Sequence, residues 1–242
     1  MKKELKDQLK EDELTSGLEH AAAWASRHRD EIRIGVLVFV VLAGAVLALW
    51  YFRDQRIREA DRALREALTT FESPVASELP QGGERPAGQV FTNAEEKYKT
   101  AAAAFEGVER RYASSVAGLR AKYFAALARV ELGQYAEAEK ALKEIQSRGA
   151  GLEPDLARLA LADVYRRSGQ VDKAVEAYRA FASNPSASMP RDHALLSAAQ
   201  TLEDARRFPE ARATYRQLTE EFPASVFAPE ARTRSEYLKA EG

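Results

Sequence analysis

The stretch "GQYAEAEKAL", Gly133–Leu142, returns as "GQVDKAVEAY", Gly169–Tyr178, and in weaker form as "RRFPEARATY", which ends at Tyr215. Each copy has a turn residue, a hydrophobe two positions on, an Ala five on and a bulky residue nine on. Arg206 stands at the Gly position of the third copy, with Phe208, Ala211 and Tyr215 in the others. The Ala residues set the period, 174 − 138 = 36 and 211 − 174 = 37. A fixed period of this length is the mark of a repeat architecture.

Each unit reads as two antiparallel helices, so the fold class is all-α. The units cover 117–150, 154–187 and 192–226. In the second, helix A carries Leu159, Ala162 and Tyr165, Gly169-Gln170 turns the chain, and helix B carries Ala174, Tyr178 and Phe181. Ala126 and Ala138 hold the packing positions in the first unit, and Ala199, Ala211 and Tyr215 in the third. Small Ala side chains let the helices of a pair approach closely, and the bulky position fills the gap to the next unit. A half repeat over 98–115 carries Tyr98, Ala101, Phe105 and Val108; its expected partner is a helix over 54–72 with Ile57, Ala60, Leu64, Ala67 and Leu68 on one face. Between them the Pro- and Gly-rich segment 73–92 reads as an exposed loop, and 229–240 as a helix capping the last unit.

Upstream, "IGVLVFVVLAGAVLALWYF", Ile34–Phe52, contains no charged residue. As a helix these positions reach about 28 Å, close to a hydrocarbon core of ~30 Å. Trp50 and Tyr51 stand where an interfacial anchor belongs. A transmembrane helix is therefore expected over 32–53, retained rather than cleaved, because the preceding stretch is too long and too acidic for a signal peptide. The tail 1–31 reads as partly helical, with a capping-box pattern at Ser16 and Glu19. Arg27, Arg29 and Arg33 precede the span, whereas Arg53, Arg56, Arg58, Arg62 and Arg65 follow it. That bias alone would hold the C-terminal part in the cytoplasm, but long domains cross largely regardless of such charges, so orientation stays open at this point.

The repeats resemble the tetratricopeptide repeat: Leu161, Ala162, Tyr165, Gly169, Ala174, Tyr178 and Pro185 in one unit, and Ala198, Ala199, Leu202, Phe208, Ala211, Tyr215 and Pro223 in the next. Lys122 and Arg158 depart from it, standing where that pattern has a large apolar residue. The resemblance implies a groove lined by the A helices, with Arg120, Tyr123, Leu127, Leu159, Asp163, Arg166, Leu196, Gln200 and Glu203 aimed at a protein partner. The layout of tail, span and helix "ALWYFRDQRIREADRALREAL" before repeats is similar to the ancillary subunit of the bacterial Sec translocon, SecYEG (YfgM-type). It implies an inner-membrane protein with a periplasmic repeat domain and, as partners, the translocon, periplasmic chaperones or client polypeptides. The run "RRFPEARATYRQLTEEFPASVFAPEAR" is similar to repeats of the Tol–Pal-associated cell-division coordinator and of the outer-membrane assembly lipoprotein, which implies instead an envelope scaffold.

Signatures of catalysis are missing from the sequence. "QGGERPAG" lacks the Gly-Lys-Ser/Thr ending of a phosphate loop, and no zinc-protease or nucleophile-elbow motif occurs. Asp192-His193 reads as a cap and first-turn residue. With no Cys, three scattered His and a net charge of −1, thiolate metal sites and bulk nucleic-acid affinity are excluded, and no cofactor is expected. The expectation is a noncatalytic, membrane-anchored interaction module; a cytoplasmic tethered scaffold is the alternative that the arginine count favours.

Overall fold

Helix boundaries in the computed structural model, which describes Trp24 and residues 28–79, 88–184 and 190–241, follow from local chemistry at the turns. The first helix, α1, runs from Arg29 to Glu72, 44 residues. Eight more follow: α2 Ala94–Arg111, α3 Val116–Glu131, α4 Tyr135–Gln146, α5 Leu152–Arg167, α6 Val171–Ala182, α7 Arg191–Asp204, α8 Phe208–Glu221 and α9 Ala228–Glu241. Most of the 1–31 tail, and the Pro185 position, lie outside the described residues. No β-strand forms among the described residues.

The chain divides into two units, residues 1–56 and 57–242. In the first, the α1 segment from Ile34 to Phe52 keeps every large apolar side chain at least half exposed. An 18-residue window within α1 has a mean hydropathy of 2.7, so the helix is long and apolar enough to cross a membrane.

In the second unit, each helix from α2 onward packs on its sequence neighbours, and α3 also touches α5. Asn93 caps α2, accepting from Glu96 N at 2.8 Å, with acids in its first turn and Arg110 and Arg111 in its last. Ser115 caps α3 by accepting from Gly118 N at 3.0 Å. A Cβ on Gly118 would stand 2.1 Å from the Tyr112 carbonyl oxygen, so the tight entry into α3 requires Gly there. The turns inside the units work differently. Gly133 (φ 72), Gly169 (φ 76) and Arg206 (φ 58) all adopt the left-handed conformation. Each lets the following N–H reach back to the last turn of helix A in a Schellman closure: Gln134 to Arg129 O at 2.9 Å, Gln170 to Tyr165 O and Arg207 to Leu202 O, both at 2.8 Å. The third copy thus keeps the turn geometry of the other two, with Arg in place of Gly.

Two apolar cores result. One gathers Ala60, Leu64 and Ala67 of α1 with Ala101, Phe105 and Val108 of α2 and Ala117, Ala121 and Ala125 of α3. Phe71 joins it, its ring 5.6 Å from Tyr98 and 6.0 Å from Phe105. Ile57 does not join; it is exposed. The other core runs from Ala126 to Leu238 and takes in the A and B helices of all three units. The segment 73–92 departs from an exposed loop at both ends. Val75 and Phe91 are buried and form an isolated parallel bridge, with Ala76 N donating to Phe91 O at 2.8 Å and Phe91 N to Pro74 O at 3.1 Å. Two large apolar side chains are better buried than solvated, and the backbone pairing fixes them there.

Candidate functional site

Ala126, Ala138, Ala162, Ala174, Ala199 and Ala211 are all fully buried, and Tyr178 and Tyr215 nearly so. Small residues at the closest approach leave the bulky side chains to span neighbouring pairs. Lys122 and Arg158 keep their charge at apolar positions by pairing: Lys122 with Glu144 and with Glu109, Arg158 with Asp155 and with the carbonyl of Gly149 at 2.8 Å. Asp155, although buried, is thereby neutralised.

A partly enclosed cleft of about 360 Å³ lies where α5, α6 and α7 meet. Leu159, Asp163 and Arg166 line it from α5, Tyr178 from α6, and His193, Ser197, Gln200 and Asp204 from α7. Asp163 is gripped twice on its own helix. Arg166 donates to it at 2.6 Å, and Arg167 Nε lies 3.0 Å from its other oxygen. Arg167 also reaches Glu131 of α3 at 3.0 Å. These two Arg and two acids balance, so the wall they form offers fixed hydrogen-bonding groups without net charge. Burial, and after it Asp163, pushes the Tyr178 phenol up to about 12; Arg166 and Arg167 oppose the shift. Burial and Asp163 raise Tyr123 as well. Tyr178 is therefore a neutral hydroxyl that shares the cleft lining with Leu159, Ser197 and Gln200. Such groups can pair with the backbone of an extended peptide and seat one apolar side chain.

Four of the nine groove candidates thus meet in one place: Leu159, Asp163, Arg166 and Gln200. The other five do not. Leu196 is 5% exposed and belongs to the core, which removes it from the groove. The template stripe 196, 200, 203 misses because α7 is sandwiched between α6 and α8 and buries both Leu195 and Leu196. Glu203 turns toward the end of the stack, accepting from Tyr215 OH at 2.8 Å and pairing with Arg234 of α9. Arg120 pairs with Glu153 at 3.0 Å. Tyr123 is packed partly against the second core and edge-on to Phe124, and Leu127 is half-buried. The face that α7 presents is His193, Ser197, Gln200 and Asp204, spaced i, i+4, i+7, i+11, a helical stripe readable from the sequence once Gln200 is placed. Tyr178, read as a packing residue, does both jobs. Asp192 lies in the first turn of α7, where it accepts from His193 N at 3.0 Å and from Ser225 Oγ at 2.5 Å; the cap position itself is Pro190.

The family model described as tetratricopeptide repeat matches residues 124–188 and, overlapping them, 159–226. These residues resemble tetratricopeptide repeats. The matched tetratricopeptide segment runs from within α3 to just beyond α8 and holds the whole cleft. Two solved structures of kinesin light chain nearly identical TPR-like repeats from Podosopora anserina are similar to this chain. Each is 17% identical over 60% of this chain, covering 86% or 89% of its own, with a TM-score of 0.44. No curated protein matches. Helix-pair solenoids of this kind present extended concave surfaces suited to binding partners.

Proposed function

We propose that this chain is a noncatalytic, membrane-anchored interaction module of the bacterial envelope, an ancillary subunit of the translocon or of the chaperone network around it. The observation that carries the reading is the α5–α7 cleft, which brings the apolar Leu159 together with the Tyr178 phenol, the Gln200 amide, the Ser197 hydroxyl, the paired Asp163 and Arg166, and Asp204. The uncharged, wholly apolar run Ile34–Phe52 supports the anchor. The layout of tail, span and repeats supports the envelope setting, and the run from Arg206 to Arg232 supports the nearest variant, a scaffold for division or outer-membrane assembly. A cytoplasmic tethered scaffold draws its support from the five Arg that follow the span.

The cleft is tested by filling it. Gln200→Arg with Asp204→Arg places two cations across the opening, and both positions are exposed. Loss of two contacts of about 2 kcal/mol each lowers affinity roughly a thousandfold. Crosslinking and pull-down from native membranes should then lose its partner bands. The control, Lys140→Glu with Glu176→Arg on exposed positions of the B helices, should retain them. Equal capture by both variants would overturn the cleft as the binding site.

A further inference from the structure

Outside the span, three of the large exposed apolar side chains recur at one place in the repeat: Val116 (59% exposed), Leu152 (43%) and Val226 (84%). Their separations are 152 − 116 = 36 and 226 − 152 = 74, one period and two. Each stands in the connection from a B helix to the next A helix. Val116 is the first residue of α3, Leu152 the first of α5, and Val226 precedes α9. Scattered apolar residues on a surface are ordinary, but a row in register with the repeat is not scattered.

Alternation of direction along the stack puts these connections on one edge of the second unit. The end of α1 near Phe71 packs against the start of α2 at Tyr98, so α2 runs back toward Ile57, and α3, α5, α7 and α9 each set out from that same edge. The edge is basic nearest Ile57. Arg110 and Arg111 close α2, and Arg148 follows α4; all three are exposed and make no ion pair among the described residues. Of the acids nearby, Glu153 pairs with Arg120, and Glu109 and Glu144 share Lys122, with Arg148 also acting on Glu144. Arg111 lies over the Tyr112 ring at 5.4 Å and still presents its charge to solvent. Farther along, Val226 sits among the exposed Glu220, Glu221 and Glu230, so the basic character is confined to the first two connections.

We infer that the edge carrying Arg110, Arg111, Val116, Arg148 and Leu152 docks on an anionic phospholipid surface. Apolar side chains among arginines are what an interfacial contact needs: the Arg meet phosphate oxygens while Val and Leu enter the headgroup–acyl boundary. Each Arg near an anionic surface adds about fivefold to its occupancy. The inference rests on the reading of Ile34–Phe52 as a span. Phe52 lies only five residues before Ile57, so a bilayer holding the span is covalently tethered to this unit and needs no independent affinity to be met.

The chain has no Cys, so single-cysteine variants of the full-length protein can be labelled cleanly. An environment-sensitive fluorophore at Val116→Cys or Leu152→Cys is compared with one at Gln134→Cys, in the connection at the opposite edge. The protein is reconstituted in vesicles of phosphatidylcholine with or without phosphatidylglycerol, containing headgroup-proximal spin-labelled lipid. The docked edge gives a blue shift and strong quenching at 116 and 152, with neither at 134, only when phosphatidylglycerol is present. Arg110→Glu, Arg111→Glu and Arg148→Glu together should reduce the quenching to the level at 134. Quenching equal at all three sites, or unaffected by phosphatidylglycerol, overturns the proposal, as does energy transfer between labelled copies in place of lipid quenching. Cofloatation after alkaline washing reports the span separately. Protein that stays with the vesicles but shows no quenching disproves the docked edge and leaves the anchor standing; protein that washes off disproves the anchor.

Discussion

Arg206 is held at φ 58, a conformation costing an L residue with a side chain roughly 1–2 kcal/mol. Gly occupies the equivalent turns at positions 133 and 169 without that cost. Arg206→Gly should therefore raise stability by about 0.5–1 kcal/mol after the larger entropy of the unfolded Gly is subtracted. Urea unfolding with an unchanged m-value is the measurement; a loss of stability would mean that Arg206 makes a compensating contact. Tyr178 gives the second expectation at this scale. Its phenol is raised to about 12, first by burial and then by Asp163, whereas an unfolded Tyr ionises near 10. The folded state thus holds the proton more tightly. The stabilisation is complete below pH 10 and disappears as pH rises toward 12, an effect on the order of 2–3 kcal/mol. Tyr178→Phe should flatten that part of the pH–stability curve while leaving neutral-pH helicity intact; an identical alkaline slope would contradict it.

Helices were more legible than the faces they present. The repeat Ala residues announced close approach because a small side chain recurring once per helix pair marks the point where two backbones must nearly touch, and every one of the six is at zero exposure. The cleft was half legible. Leu159, Asp163 and Arg166 follow from the A-helix template, but on α7 a rotation of about one residue separates Leu196 from Ser197, and only the neighbours on both sides decide between them. Val75 and Phe91 were illegible for a different reason: a Pro- and Gly-rich composition describes the segment between them, not the two apolar residues at its ends. Helix α9 shows how the stack is finished. Glu203 receives the Tyr215 hydroxyl and pairs with Arg234, joining α7, α8 and α9 through one carboxylate. Glu203→Ala leaves two donors without their acceptor and should cost about 1–3 kcal/mol. Amide exchange should accelerate first over Ala228–Leu238. Uniform acceleration across all repeats would show that α9 is no separate cap.

For the whole molecule, orientation is the consequence with the widest reach. If the repeat domain is periplasmic, as the envelope reading requires, protease added to spheroplasts digests it without detergent, and the N-terminal tail survives. Protection until lysis would place the repeats in the cytoplasm, in line with the five Arg that follow Phe52, and would redirect the search for partners there. The fold itself is the same on either side of a membrane.

The stack also has a mechanical meaning. Each helix from α2 to α9 rests on its immediate neighbours, and the α3–α5 contact reaches only one helix further. Among the described residues no extensive contact joins helices further apart than this, so a load applied between Ile57 and Leu238 passes mainly through the pairs in series. Such an array behaves as a spring whose coils yield one after another, lengthening in steps under tension and rewinding from whichever pair remains intact. Stretching of this kind would separate neighbouring pairs before it disturbed the packing inside any one pair.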